Sequence, residues 1–287
     1  MRTAVMTDTN SGITDQEAEE LGIFLLPMPI VIDGEIRYEG KDLTQEEFYK
    51  NLTEGKNIST SQPSPGDVME LWERILESGY DELVHIPMSS GLSNSCATAV
   101  GLSAEYEGKV VIIDNHRISI PMRESVLEAV ELANSGVSAV KIKAELEAKS
   151  YDTSIYIAVD TLEFLKKGGR ITPAAAIVGE ALHIKPILTI QGERLDAFAK
   201  VRGMKKCKKV MLEALHKDIK MKFADIASGK LVVGLAGTGL NDAEIAEWKC
   251  ALEETFPQAN IYYNPLALSI GTHTGPGAVG IAFCIRR

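Results

Sequence analysis

The stretch Leu83-Val84-His85-Ile86-Pro87-Met88-Ser89-Ser90-Gly91-Leu92-Ser93-Asn94-Ser95 starts as a β-rich run, passes through a serine-rich loop and leads into the helical pattern Cys96–Glu105. A strand joined to a helix by such a loop is the repeating unit of a parallel α/β sheet, and ligands bind beyond the carboxyl ends of its strands. The same alternation extends to both sides. Thr3–Met6 precedes Asp15–Leu21, Phe24–Ile32 precedes Thr44–Leu52, and Val110–Ile113 precedes Glu124–Asn134. These pairs predict a first domain with a mainly parallel sheet flanked by helices. Further on come Ser154–Val159, Thr161–Lys167, Thr172–Leu182, Lys205–Phe223, Leu231–Leu235, Ala243–Thr255, Ile261–Tyr263 and Ala278–Ile285. Ile187–Ile190 and Leu195–Val201 flank Gln191-Gly192-Glu193 as a hairpin, so the second sheet should be mixed. The expected fold class is two-domain α/β, with domains 1–158 and 159–287.

The chain has 287 residues, 45% of them hydrophobic, and a net charge of −10, enough for more than one typical core. The charge is divided unevenly. Residues 1–158 carry 12 basic and 27 acidic side chains, residues 159–287 carry 18 and 13. Cys96, Cys207, Cys250 and Cys284 lie far apart, with no spacing suited to a disulfide framework or a metal. The run Thr3-Ala4-Val5-Met6-Thr7-Asp8 ends in an acid and does not resemble a signal-peptide core, and Ile23–Ile32 is interrupted by Pro27 and Pro29. A reduced, cytoplasmic protein without stable membrane insertion is expected, with transient membrane contact compatible.

Five constellations could carry chemistry. In Thr60-Ser61-Gln62-Pro63-Ser64-Pro65-Gly66-Asp67, Ser64 and Asp67 have capping-box spacing and Pro65 sits at the first helical position. The plain reading is a capped turn; the functional one is an anion held by hydroxyls at a helix start. Gly91-Leu92-Ser93-Asn94-Ser95 approaches the nucleophile elbow G-x-S-x-G but ends in serine, which leaves a serine acyl hydrolase using Ser93 and His273 as the alternative function. Gly168-Gly169-Arg170 projects an arginine from a turn between two helices, suited either to solvent or to an anionic head group. Gly275 to Gly280 matches a dinucleotide-binding pattern without room for the unit that must follow. His273, set among hydroxyls and glycines, stands out from the isolated histidines 85, 116, 183 and 216. Lastly, the lysine-rich stretch from Lys200 to Lys222 reads as a solvated helix face or a docking surface for an acidic partner. Nucleic acid is not expected, because no recognised module accompanies it.

In order and spacing, Thr7-Asp8-Thr9, Thr60-Ser61-Gln62-Pro63, Ser89-Ser90-Gly91-Leu92-Ser93, Lys166-Lys167-Gly168-Gly169-Arg170-Ile171 and His273-Thr274-Gly275-Pro276-Gly277 resemble the DegV family across the whole chain. The resemblance implies a two-domain α/β protein that binds one long-chain fatty acid, such as palmitate, stearate or oleate, and needs no cofactor. It implies that Thr60 and Ser93 hold the carboxylate, with Ser61 and Asn94 beside them, and that Arg170 and His273 lie near the head group. It also implies a partner, an ATP-dependent fatty-acid kinase that converts the presented carboxylate to an acyl phosphate. Asn94-Ser95 departs from the Gly-Thr common in the family.

Overall fold

The computed structural model describes residues 2–176, 184–192, 194–222 and 230–286. In chain order the first elements are β1 (Thr3–Asp8), α1 (Asp15–Leu21), β2 (Ile23–Leu26), β3 (Pro29–Ile32), β4 (Glu35–Tyr38), α2 (Gln45–Thr53) and β5 (Ile58–Thr60). There follow α3 (Pro65–Glu77), β6 (Glu82–Ile86), α4 (Ser95–Ser103), β7 (Val110–Ile112), α5 (Ser119–Asn134) and α6 (Ala139–Ala148). Strands in the order β2-β1-β6-β7 form a wholly parallel sheet, and β4-β3-β5 form a small antiparallel one.

Alternation along the parallel strands sends side chains to both faces, and both are covered, as parallel sheets require. Val5, Val84 and Ile86 pack with Val126, Ala129, Ile142 and Leu146 of α5 and α6. Ala4, Met6 and Leu83 pack with Val68, Trp72 and Ile75 of α3 and with Cys96 and Ala99 of α4. The spacing Val68, Trp72, Ile75 is one helical stripe, so α3 forms because its only apolar face has this sheet to cover. Ser64 accepts from Asp67 N at 3.1 Å and Pro65 follows it, so the helix starts as its sequence predicts. The run Phe24–Ile32 is two strands in different sheets. The break falls at Pro27, which has no N–H to offer a ladder.

The remaining elements are β8 (Thr153–Ala158), α7 (Glu163–Gly168), α8 (Pro173–Ala176), β9 (Ile184–Ile190), β10 (Asp196–Arg202) and α9 (Met204–Lys222). After them come β11 (Leu231–Gly237), α10 (Asp242–Thr255), β12 (Asn260–Pro265), α11 (Leu268–Thr274) and β13 (Val279–Ile285). They build a six-stranded mixed sheet, β10-β9-β8-β13-β11-β12, in which only β11 and β12 run parallel. Tyr156, Val233, Leu235, Ile281 and Phe283 pack there with Met211 and Leu215 of α9 and Trp248 and Leu252 of α10. The expected β9–β10 hairpin forms, with Glu193 of its turn outside the described residues; so are 177–183 of the expected helix Thr172–Leu182, and Phe223.

The contacts divide the chain into two compact units. One contains residues up to Glu47 together with Lys56–Ser150, the other Phe48–Gly55 together with residues from Tyr151 onward. In this division the main crossing falls at 150/151, and β8 pairs with β13 and β9 in the second sheet.

Candidate functional site

In the first unit β1 pairs with β2 on one side and β6 on the other, so the strand order reverses at β1 and β6. The carboxyl ends of two such strands flank the crevice in which open α/β sheets take ligands. Asp8 ends β1 there. It is 1% exposed, and its carboxylate accepts from Met88 N at 2.9 Å, Asn10 N at 2.9 Å and Asn10 Nδ2 at 2.8 Å. Burial pushes the Asp8 carboxyl up to about 6 against the pull of these bonds.

The serine loop leaving β6 is held along its length. Ser89 N donates to Arg117 O at 2.9 Å, Ser90 N to Asp114 Oδ1 at 3.3 Å and Gly91 N to Ser89 Oγ at 3.2 Å. Leu92 N and Ser93 N both donate to Ser89 O, at 3.0 and 3.2 Å. Ser93 Oγ accepts from Ser95 N at 3.2 Å, which starts α4. Asn94 is exposed, has helical backbone angles and makes no side-chain capping bond. Across from this loop, Thr60 ends β5 opposite Ile30 and is half-buried, while Ser61 is exposed and donates its N–H to Pro29 O at 3.3 Å. Thr98 Oγ1 of α4 donates to Gln62 Oε1 at 3.0 Å. That bond ties the Thr60–Pro63 loop to the helix that begins beside Ser93 and Asn94.

Between these loops and the sheet lies a small cavity of about 10 Å³, room for about one water. Its apolar lining is Leu26, Met28, Pro63, Val68 and Pro87, and its polar lining is Asp8, His85, Ser95 and Thr98. Hydroxyls beside the first turn of α4 suit an anion at this edge of the sheet, and apolar side chains lie directly behind them. Asp8, part of the Thr7-Asp8-Thr9 motif, and His85, one of the isolated histidines, have no site role assigned from sequence. Only the strand pairing shows that one closes the serine loop and the other reaches the cavity.

Ser93 does not occupy a nucleophile elbow. An elbow places its serine at a strained turn directly after a strand, whereas β6 ends at Ile86 and, among the described residues, the non-glycine residues of positive φ are Asp33, Glu107, His116 and Ser119. This counts against Ser93 as a hydrolase nucleophile.

Arg170 and His273 belong to the second unit. Helix α7 ends at Gly169, which takes the left-handed conformation (φ 68°) that favours glycine. Arg170 follows, half-buried, with its Nη1 donating to Gly168 O at 2.5 Å. His273 lies on α11, not in a flexible loop as its Gly-Thr surroundings suggest. Thr272 and Thr274 turn their hydroxyls back onto Leu268 O and Ile270 O, at 3.0 and 3.2 Å, and so stay helical. The imidazole packs on Gly168, where a Cβ would lie 2.1 Å from Nδ1. Burial, and then the nearby Arg170 charge, push His273 down to about 4, so the ring is neutral at neutral pH.

Among the described residues no three His, Cys, Asp or Glu side chains gather as a metal site requires, and no helix is long and apolar enough to cross a membrane. None of the four cysteines forms a disulfide.

Comparison with known proteins bears on the fold and the family. A DegV domain-containing protein of Listeria innocua is 34% identical over 289 residues, covering 99% of this chain and 98% of its own. A fatty-acid-binding DegV family protein of Thermus thermophilus superimposes with a TM-score of 0.89 at 30% identity, and DegV of Bacillus subtilis, described as a fatty acid binding protein, with 0.86 at 28%; both comparisons cover 100% of each chain. The model of the DegV family, a family of uncharacterised proteins, matches residues 2–286, and with it the fold and the relatives place this chain in the DegV family.

Proposed function

We propose that this protein binds a single long-chain fatty acid, with the carboxylate at the hydroxyl-bearing loops of the first unit and the tail among the apolar side chains behind them. The observation that carries the reading is the pair of loops, Thr60–Pro63 and Pro87–Asn94, tied together at the strand-order reversal where open α/β sheets take ligands. The fatty-acid binding described for the Thermus and Bacillus relatives supports it. A buried carboxylate needs donors, and Thr60, Ser93 and the first N–H groups of α4 can supply them, with Ser61 and Asn94 at the rim. Each buried methylene contributes about 0.8 kcal/mol, so the tail supplies affinity and the loops supply orientation. Lipid extraction and native mass spectrometry of the purified protein test this. Recovery of one fatty acid per chain, or uptake of added palmitate, stearate or oleate, is expected; failure of both would refute it.

The protein then acts in the cytoplasm as the lipid-binding subunit of a kinase system, not as an enzyme of its own. A partner fatty-acid kinase supplies ATP and converts the presented carboxylate to an acyl phosphate. Arg170 and His273 are assigned to the charge that develops in that step. Replacing Arg170 with alanine should therefore reduce acyl phosphate formation in a reconstituted assay more than it reduces lipid binding. The opposite ranking would remove the assignment.

A further inference from the structure

The chain between β7 and α5 is strained beside a buried charge. Among the described residues four non-glycine residues have positive φ, and two of them, His116 (54°) and Ser119 (53°), flank Arg117. Side chains rarely take this left-handed conformation, and it persists only where the surroundings enforce it. Arg117 ties the segment down. It is 4% exposed, and its guanidinium donates from Nη1 to Ser125 Oγ of α5 at 2.9 Å, from Nη2 to Lys149 O, and from Nε to Ser150 O at 3.5 Å. Lys149 and Ser150 lie just past the end of α6, where carbonyls lack intrahelical donors and the dipole favours a cation. All three acceptors are uncharged. An apolar side chain would fill the space at lower cost than a buried charge, so the rigid fork of the guanidinium fits a bracing role, fastening one segment to two helices.

The backbone of the same residue holds the serine loop. Arg117 O accepts from Ser89 N at 2.9 Å, and Ser89 O in turn accepts from Leu92 N and Ser93 N at 3.0 and 3.2 Å. Asp114 Oδ1 accepts from Ser90 N and His116 N, both at 3.3 Å, while Asp114 N donates to Glu147 Oε1 of α6 at 3.1 Å. Two relays thus run from α6 to the loop, and the one through Arg117 ends at Ser93.

Resting on the fatty-acid reading above, we propose that Arg117 is a positioning residue for the carboxylate site: its guanidinium fixes the Arg117 carbonyl, and through Ser89 that carbonyl sets the place of Ser93. Each of its three side-chain nitrogens is engaged with α5 or the end of α6, so it acts through Ser89 and not by pairing with the carboxylate.

Palmitate titration of delipidated protein in a double-mutant cycle tests this. Arg117→Lys, which keeps the charge and loses the fork, should weaken binding by about 5- to 30-fold. In a Ser93→Ala background that loss should shrink to less than about threefold, and in a Thr60→Ala background it should stay whole, because Thr60 is held by β5. A loss equal in both backgrounds, or undiminished binding by Arg117→Lys, overturns the proposal. Should Arg117→Lys fail to fold, Ser125→Ala removes a single acceptor of the brace and should give a loss of about 2- to 5-fold with the same dependence on Ser93. Amide hydrogen exchange without ligand reads the brace directly: in Ser125→Ala the Ser89 amide should exchange about tenfold faster, while Val84 and His85 of β6 keep their rates. Unchanged Ser89 exchange overturns the proposal whether or not lipid binds. Wild-type protein that takes up no fatty acid, with Ser89 exchange responding as expected, refutes the fatty-acid reading and leaves the brace of the loop standing.

Discussion

The serine loop between β6 and α4 and the glycine turn after α7, the two regions proposed above to meet an anion, are made of different materials. In the loop, backbone N–H groups are bonded to Asp8, Arg117, Asp114 and Ser89, and the groups at its tip, Ser93 and Asn94, are neutral. In the turn, a guanidinium bends back on the carbonyl of Gly168, and an imidazole kept neutral by burial packs on the same glycine. Neutral donors can be desolvated beside an apolar tail at modest cost, whereas a charge cannot. The first arrangement suits holding a carboxylate in the ground state, the second meeting charge that develops later. The overall −10 charge therefore says little about anion binding, because the acidic half of the chain carries the hydroxyl loops.

The most disruptive way to test this contrast is at Gly168. Its replacement by alanine puts a methyl group 2.1 Å from His273 Nδ1, and the ring must be displaced. Overpacking of this kind costs about 3 kcal/mol, and denaturant unfolding should show it as a lowered midpoint. An unchanged midpoint would show that the turn is looser than its packing implies. Next in size are Thr60→Ala and Ser93→Ala, each expected to weaken fatty-acid binding by about 1–3 kcal/mol, read by titration calorimetry. Equal affinity in both variants would place the carboxylate elsewhere.

A smaller effect comes from acid. The folded-state value of His273 is depressed from 6.5 to about 4, so its contribution to stability is present above 6.5 and is lost as pH falls towards 4. Allowing for partial exposure, this is on the order of 1 kcal/mol, and it should be missing from the pH profile of His273→Gln. The first unit is differently poised. His85, depressed to about 3, is also destabilising in acid, but Asp8, raised to about 6, acts in the opposite sense: its contribution is present below its ordinary value of 3.8 and is lost as pH rises through 6. Parallel profiles of wild type and His273→Gln would show that the ring is not held neutral by its packing.

These regions differ too in how far they can be read without coordinates. The serine loop follows from local order alone, since a strand, small polar residues and an apolar helix are contiguous from Leu83 to Glu105. The environment of His273 does not follow, because Gly271, Thr272 and Thr274 are poor helix formers and their helix depends on hydroxyl-to-carbonyl bonds and close packing; a Cβ on Gly271 would lie 2.8 Å from Tyr49 Oη. Helix α6 has only Ala139, Ile142 and Leu146 buried, too sparse a stripe to stand out among lysines and glutamates, and β5 is three residues long. Asp8 and His85 depend on long-range pairing of β1 with β6, which no local pattern contains.

The smallest expected change separates a ligand site from a helix cap. Asn94 stands at the start of α4 without a capping bond, so a negative charge there should stabilise the ligand-free protein by about 0.3–1 kcal/mol through the helix dipole. If the fatty-acid carboxylate occupies the same N-terminus, Asn94→Asp must at once weaken ligand binding, because two anions then share one set of donors. Thermal unfolding without ligand and titration with palmitate should therefore move in opposite directions. A variant that gains stability and binds palmitate as before would leave the α4 terminus a structural feature and shift the anchoring role to Thr60 and its neighbours. Asn94→Ala serves as the control: with no capping bond to lose, it should change stability by less than about 0.5 kcal/mol.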